Sequence, residues 1–347
     1  MADSSDAPPP DPKEDLDKED LDKEDEVKQD QDESKQDKKG GEEEEVSCCP
    51  PGSHGEATVR SDRPLQGSMT EIPPPSRELV GMLPLPCYCT GAPLDKSTKR
   101  VVVVFTDVYG IDAGHHKVFA DCLAERLDCS VIVPDLFRGV PILQPWIDNH
   151  NIAADLMGSL MGAPGMIFRV RQYPPAKVEQ EIFQMILPFI HAQTTHTHAT
   201  DISISCVGFC FGGWVVGRVL GHQPQAGDSK LSFQCGVGIH PSFQPNLLHA
   251  EQMTTMAERI HKPILFLPAW NDGDLKPNTK IVNIIQQNLT KKRQIQPQEA
   301  VSVEFPNMIH GWVSRGDPTN PAIAAEQEKA LKLTVDFIQK HSTTTSN

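Results

Sequence analysis

No run of about 18 apolar residues occurs anywhere in the 347-residue chain, so a membrane-spanning helix is not expected. The opening Met1-Ala2-Asp3-Ser4-Ser5 has neither a basic n-region nor an apolar h-region. A secretory signal is therefore not expected, and the acidity argues against a transit peptide. The nine cysteines are an odd number; without an export signal they are expected as reduced thiols in the cytoplasm, not as disulfides. Excess positive charge is lacking too. The formal net charge is -15, but residues 1–46 hold 20 of the 47 acidic and 7 of the 32 basic residues. The rest of the chain stands near balance, at 27 acidic against 25 basic. A phosphate backbone repels such a tail, so nucleic acid is not an expected partner. Because the acidity belongs to the tail, it says little about a substrate.

The tail itself has almost no apolar side chains. It repeats a pentad, Lys13-Glu14-Asp15-Leu16-Asp17 then Lys18-Glu19-Asp20-Leu21-Asp22. It cannot bury enough apolar surface to offset the entropy of ordering, so residues 1–46 are expected as a disordered acidic tail. Such a tail is either a solubilising spacer or an arm for a protein partner. Residues 47–347 are expected as one large α/β domain.

What is present begins with a Pro/Gly/Ser-rich entry segment, residues 47–80, read as loops and short edge strands. Val101 to Phe105 is a continuous apolar, mostly β-branched run, as expected of a strand covered on both faces. Strands are also expected at Ser130–Val133, Ile202–Val207, Phe233–Ile239, Ile264–Leu267 and Val301–Phe305. Helical spacing of apolar residues is found in 115–127, 176–191, the segment after residue 210, 277–290 and 319–340. Residues 141–174 are irregular, with Trp146, Met157, Met161 and Met166 as candidate pocket-rim or core side chains. This alternation argues for a doubly wound, mostly parallel sheet flanked by helices. Sites in such sheets form in loops at the carboxyl ends of strands.

Gly208-Phe209-Cys210-Phe211-Gly212-Gly213 follows the Ile202–Val207 strand. A Gly-x-nucleophile-x-Gly turn joining strand to helix holds its central side chain clear of the sheet, and larger residues two before and two after would collide. The helix N-terminus supplies a positive dipole end that favours a thiolate. A buried structural cysteine is the plainer reading of the same turn. A nucleophile needs a base. His310-Gly311-Trp312 follows the last expected strand, and His240, in His240-Pro241-Ser242, is its competitor. The base needs an acid to orient it. Asp272 and Asp274, after Ile264–Leu267, both qualify, although a turn with an acidic cap gives the same pattern. The order nucleophile, acid, base is that of the α/β-hydrolase fold. Backbone N–H groups of Phe211 and Val108 are the candidate oxyanion donors, each worth about 3–4 kcal/mol in such sites.

These motifs resemble the dienelactone hydrolase (carboxymethylenebutenolidase) family from about Cys48 to the C-terminus. The resemblance rests on the cysteine elbow at Cys210, on Asp107-Val108-Tyr109-Gly110, on Pro134-Asp135-Leu136-Phe137, on His310-Gly311-Trp312, and on the opening Cys48-Cys49-Pro50-Pro51-Gly52. It implies hydrolysis of a lactone or small ester through a Cys-Asp-His triad and an acyl-thioester, with no metal or organic cofactor. Counting from Pro263, the family's aspartate falls at Asp272, although Pro277 departs from the family's usual spacing. Members acting on dienelactone tend to have Glu where this chain has Asp107, which is one methylene shorter and leaves the substrate open. Arg138 and Arg315 resemble the family's arginines for a substrate carboxylate, for which a guanidinium fork suits the geometry. Two rivals keep the fold: a binding protein with a vestigial elbow, and a redox-sensing thiol protein.

Overall fold

Every side chain of Val101–Phe105 is fully buried, and alternate residues serve opposite faces. Val101, Val103 and Phe105 belong to one apolar core and Val102 and Val104 to the other. A strand with helices on both sides has no face for polar residues, which is why the run is continuous. The computed structural model describes residues 63–74, 83–142, 168–194 and 202–342. The acidic tail, Cys48-Cys49-Pro50-Pro51-Gly52 and the rim candidates Trp146, Met157, Met161 and Met166 lie outside the described residues. Among the described residues, no helix is long and apolar enough to cross a membrane.

Among the described residues, seven strands form one sheet: β1 (Ser68–Ile72), β2 (Leu85–Gly91), β3 (Arg100–Phe105), β4 (Ser130–Pro134), β5 (Ser203–Phe209), β6 (Phe233–Ile239) and β7 (Ile264–Leu267). Their order is β1-β2-β4-β3-β5-β6-β7, with β2 antiparallel to both its neighbours, β1 and β4, and every other pair parallel. Helix α1 (His116–Leu127) follows β3. The helix α2 (Pro175–Glu181) runs through a π turn at Ile182–Ile186 into α3 (Leu187–Thr194). Then come α4 (Phe211–Gly221), the short α5 (Pro245–Leu248), α6 (Met253–Arg259), α7 (Lys280–Lys291), α8 (Trp312–Arg315) and the closing α9 (Pro321–His341). Asn320 caps α9, its side chain accepting from the Ala322 N–H at 3.0 Å.

One expected strand is corrected. Val301–Phe305 lies along β7 but joins it only at two isolated bridges, Phe266 with Ser302 and Ala269 with Phe305. The ladder starts regularly, with the Phe266 N–H on the Val301 carbonyl at 2.8 Å and the Val303 N–H on the Phe266 carbonyl at 2.9 Å. The next donor in this pattern is residue 268, a proline without an N–H, so the ladder breaks there. The Phe305 N–H still reaches the Pro268 carbonyl at 2.8 Å. The two loops that leave this pair therefore remain side by side, and they carry Asp272 and His310.

Candidate active site

Cys210 sits between β5 and α4 with φ 51° and ψ -110°, a conformation that costs a non-glycine residue energy and is held by its surroundings. The flanking glycines explain how. A Cβ on Gly208 would lie 2.0 Å from the Gly212 carbonyl oxygen, and one on Gly212 would lie 2.3 Å from that of Phe105. The Cys210 N–H donates to the Ile239 carbonyl at 3.2 Å, and the Cys210 carbonyl accepts from Gly213 and Ser242 at 2.9 and 3.1 Å. The turn is thus bonded to the end of β6 as well as to its own helix. Phe211 occupies the first helical position, where an N–H has no intrahelical acceptor. The Val108 N–H donates to no backbone carbonyl among the described residues.

His310 lies on the loop before α8. Its Nδ1 is 2.5 Å from Asp272 Oδ1, and both side chains are 3% exposed. The second Asp272 oxygen accepts from the Ala269 N–H at 2.7 Å. Asn271 Oδ1 accepts from the His310 N–H at 2.8 Å, and the Trp270 N–H donates to the Met308 carbonyl. Asp272 is therefore clamped from behind while it orients the imidazole. Asp274 is exposed, and its carbonyl takes the Thr279 hydroxyl at 2.6 Å. Of the two candidate acids, Asp272 is the one beside His310.

Asp107 and Arg315, expected near a substrate, are brought together and buried, at 0% and 4% exposure. Arg315 Nη1 bonds Asp107 Oδ2, and the Arg315 guanidinium lies 4.8 Å over the Tyr109 ring. Asp107 Oδ1 accepts from the Tyr109 N–H at 3.0 Å, which caps the turn after β3. Ser314 Oγ donates to Asp107 Oδ2 at 3.1 Å, and His116 Nε2 is 3.4 Å from the same oxygen. Burial alone would raise the Asp107 pKa; Arg315, then His116, outweigh it and hold the carboxyl well below the usual range. Arg138, the other expected anion binder, pairs through Nη1 with buried Glu181 at 2.8 Å and reaches the Leu83 carbonyl at 3.3 Å. Its neighbour Phe137 packs 5.5 Å from the Phe211 ring.

From the sequence, His240 is only a rival base and His116 only the start of a helix, while Ser314 and Asn271 carry no motif of their own. His240 is fully buried, with φ 35°, and its ring stands 5.0 Å from that of His310 at 68°. Ser314 Oγ lies 3.4 Å from His240 Nε2. The single hydroxyl proton favours the carboxylate of Asp107, so Ser314 accepts from His240, which fixes a neutral Nε2–H tautomer. Burial, followed by His310 and Arg315, pushes the His240 pKa well down. The unfolded chain then binds the proton more readily, so stability falls as pH drops below about 6.5. Between pH 6.5 and 5.5, the wild type should lose about 1 kcal/mol more than His240→Phe, read from denaturant midpoints. Equal losses in the two proteins would refute this. The sequence signal was the polar residue directly after a buried strand.

Among the described residues, no group of three or more His, Cys, Asp or Glu is placed to hold a metal ion. The model of the dienelactone hydrolase family matches residues 89–342. The carboxymethylenebutenolidase homolog of Rattus norvegicus is 25% identical over 255 residues, 73% of this chain and 86% of that protein. A protein of Aspergillus violaceofuscus described as hydrolase pyvD is 24% identical over 260 residues, covering 74% and 88%. Among solved structures, a putative dienelactone hydrolase from Klebsiella pneumoniae superposes with TM-score 0.50 at 16% identity, over 79% of this chain and 99% of that one. An acylaminoacyl peptidase of Pyrococcus horikoshii reaches TM-score 0.52 at 13% identity, over 80% and 41%. At these identities the structural likeness shows the fold alone.

Proposed function

Because this chain belongs to the dienelactone hydrolase family and is therefore an ester or lactone hydrolase, we propose that Cys210, Asp272 and His310 carry out that hydrolysis. Two observations support the reading: the 2.5 Å pairing of His310 with Asp272, and a cysteine held in a strained strand-to-helix turn. The His240 ring links the two parts: its residue follows Ile239, which bonds Cys210, and its ring packs on His310.

In the proposed cycle His310, oriented by Asp272, accepts the Cys210 proton, and the positive end of α4 favours the thiolate. The thiolate attacks the ester carbonyl, and the N–H groups of Phe211 and Val108 hold the oxyanion. Collapse expels the alcohol, protonated by His310, and leaves an acyl-thioester on Cys210. Water, deprotonated by His310, then releases the acid and restores the thiol. In a lactone the departing alcohol stays attached to the acyl group. Asp107 and Arg315 neutralise each other behind the loop that bears Val108 and so hold that donor in place. The substrate is a small ester or lactone.

The test is a panel of aryl esters, lactones and thioesters with the full-length protein. Turnover of at least one class is expected, with a burst of alcohol equal to one acyl group per protein if deacylation is slow. No turnover of any class, and no acylation of Cys210 by mass spectrometry, would refute the assignment.

A further inference from the structure

A pair of thiols lies outside the proposed triad. Cys87 and Cys89 are two residues apart on β2, so their side chains share a face of the sheet. Their sulfurs are 3.7 Å apart. Cys87 is fully buried, whereas Cys89 is half-buried and lines a cavity of about 260 Å³ with Leu94, Ser130, Ile132, Phe189 and Gln193. The cavity adjoins the amino-terminal end of β4, where Gly91 pairs with Ser130, while Cys210 lies at the carboxyl end of the sheet. One thiol thus belongs to a residue that lines the cavity, packed on the same core as Ile132 and Phe189, and the other is fully buried next to it.

We propose that Cys87 and Cys89 are a reversible redox pair, in which a peroxide oxidises Cys89 and Cys87 resolves it. The Cys89 thiolate attacks a peroxide oxygen, breaking the O–O bond and giving a sulfenic acid and hydroxide. The Cys87 sulfur then attacks the sulfenic sulfur, forms the S–S bond and releases the second oxygen as water. Two thiols and one hydrogen peroxide become one disulfide and two waters. The division of labour follows from exposure: Cys89 is half-buried and lines the cavity, whereas Cys87 is fully buried. The contact between the sulfurs, in which either can donate, lets the thiol of one stabilise the thiolate of the other.

Strand geometry explains why the bond would be reversible. Two residues of extended chain separate their Cα atoms by about 6.4–6.8 Å, the upper limit of what a disulfide spans. Hydrogen bonding of β2 to both β1 and β4 resists the shortening that would relax it. A bridge closed there is strained, and strained bridges are the readily reduced ones.

Trypsin releases Cys87 and Cys89 together in Glu78–Lys96, which holds no other cysteine. The experiment uses full-length Cys210→Ser protein, so that the elbow thiol does not consume the oxidant, and about one equivalent of hydrogen peroxide. The peptide should lose about 2 Da while Cys129, Cys206 and Cys235 stay reduced, and dithiothreitol should restore it. Adding Cys87→Ser should replace the disulfide by a sulfenic acid at Cys89, captured by dimedone. In untreated protein, Cys89 should alkylate at least about tenfold faster than Cys87. If both remain free thiols after other cysteines have oxidised, or if Cys87→Ser yields no dimedone adduct at Cys89, the proposal is overturned. None of these outcomes depends on ester hydrolysis.

Discussion

Cys210→Ala should lower kcat/KM for any ester the protein cleaves by about 10⁵-fold, because loss of the proposed covalent nucleophile would leave only binding and the proposed oxyanion contacts to assist attack by water. The fold should survive the change. Cys210 is buried in a turn fixed by the backbone bonds of Ile239, Gly213 and Ser242, none of which uses its sulfur. Stability measured alongside activity separates the two effects. Cys210→Ser is the sharper comparison, since it keeps a hydroxyl of nearly the same size but loses the thiol, the more nucleophilic group. It should retain weak activity and lose rapid labelling by iodoacetamide. An alanine variant with more than about one hundredth of wild-type activity would remove Cys210 from the chemistry.

The second large effect concerns stability. Arg315→Met should lower the free energy of unfolding by about 3–5 kcal/mol, since it leaves the Asp107 carboxylate fully buried without its main counter-charge. Arg315 and Asp107 are 208 positions apart, so the pair also ties α8 to the loop after β3. The double variant Asp107→Asn, Arg315→Met should recover more than half of the loss, because it removes the stranded charge together with its partner. The Asp107 pKa is depressed in the folded chain, so its contribution is complete above about pH 4 and is lost as pH falls through and below that value. The stability gap between wild type and Asp107→Asn should therefore narrow on acidification from about pH 5 to 3. If the double variant is as unstable as Arg315→Met, the ion pair is not what the arginine supplies.

These two residues show where the reading of the sequence stopped. Asp107 and Arg315 were both singled out, one at the position of the family's glutamate, the other as a carboxylate binder. Asp107 caps its own turn, through the Tyr109 N–H. Their mutual pairing was not legible, because hydrogen bonding over 208 positions leaves no local period or spacing in the chain. Arg138 is a parallel case: its partner Glu181 is the last residue of α2, and nothing near Arg138 in sequence announces it.

What the sequence by itself determined was the set of elements whose rules are local. Short, mostly apolar runs marked the buried strands β3 to β7, the Gly-rich turn marked the bend at Cys210, and the fall of Asp272 and His310 after later segments set their order. Each depends on residues within a few positions of one another, where backbone sterics and side-chain period act. The antiparallel β2 went unrecognised because Pro86 and the alternating cysteines and tyrosine of Leu85–Gly91 do not make an apolar run. Only the tertiary structure decided that Pro268 breaks the pairing of Val301–Phe305, that Asp272 rather than Asp274 meets His310, and that His240 packs behind it. It also decided that the charges at Asp107, Arg138 and Arg315 are spent on internal partners. Those outcomes depend on which distant groups burial forces together, and a buried charge takes whichever partner the packing brings within reach.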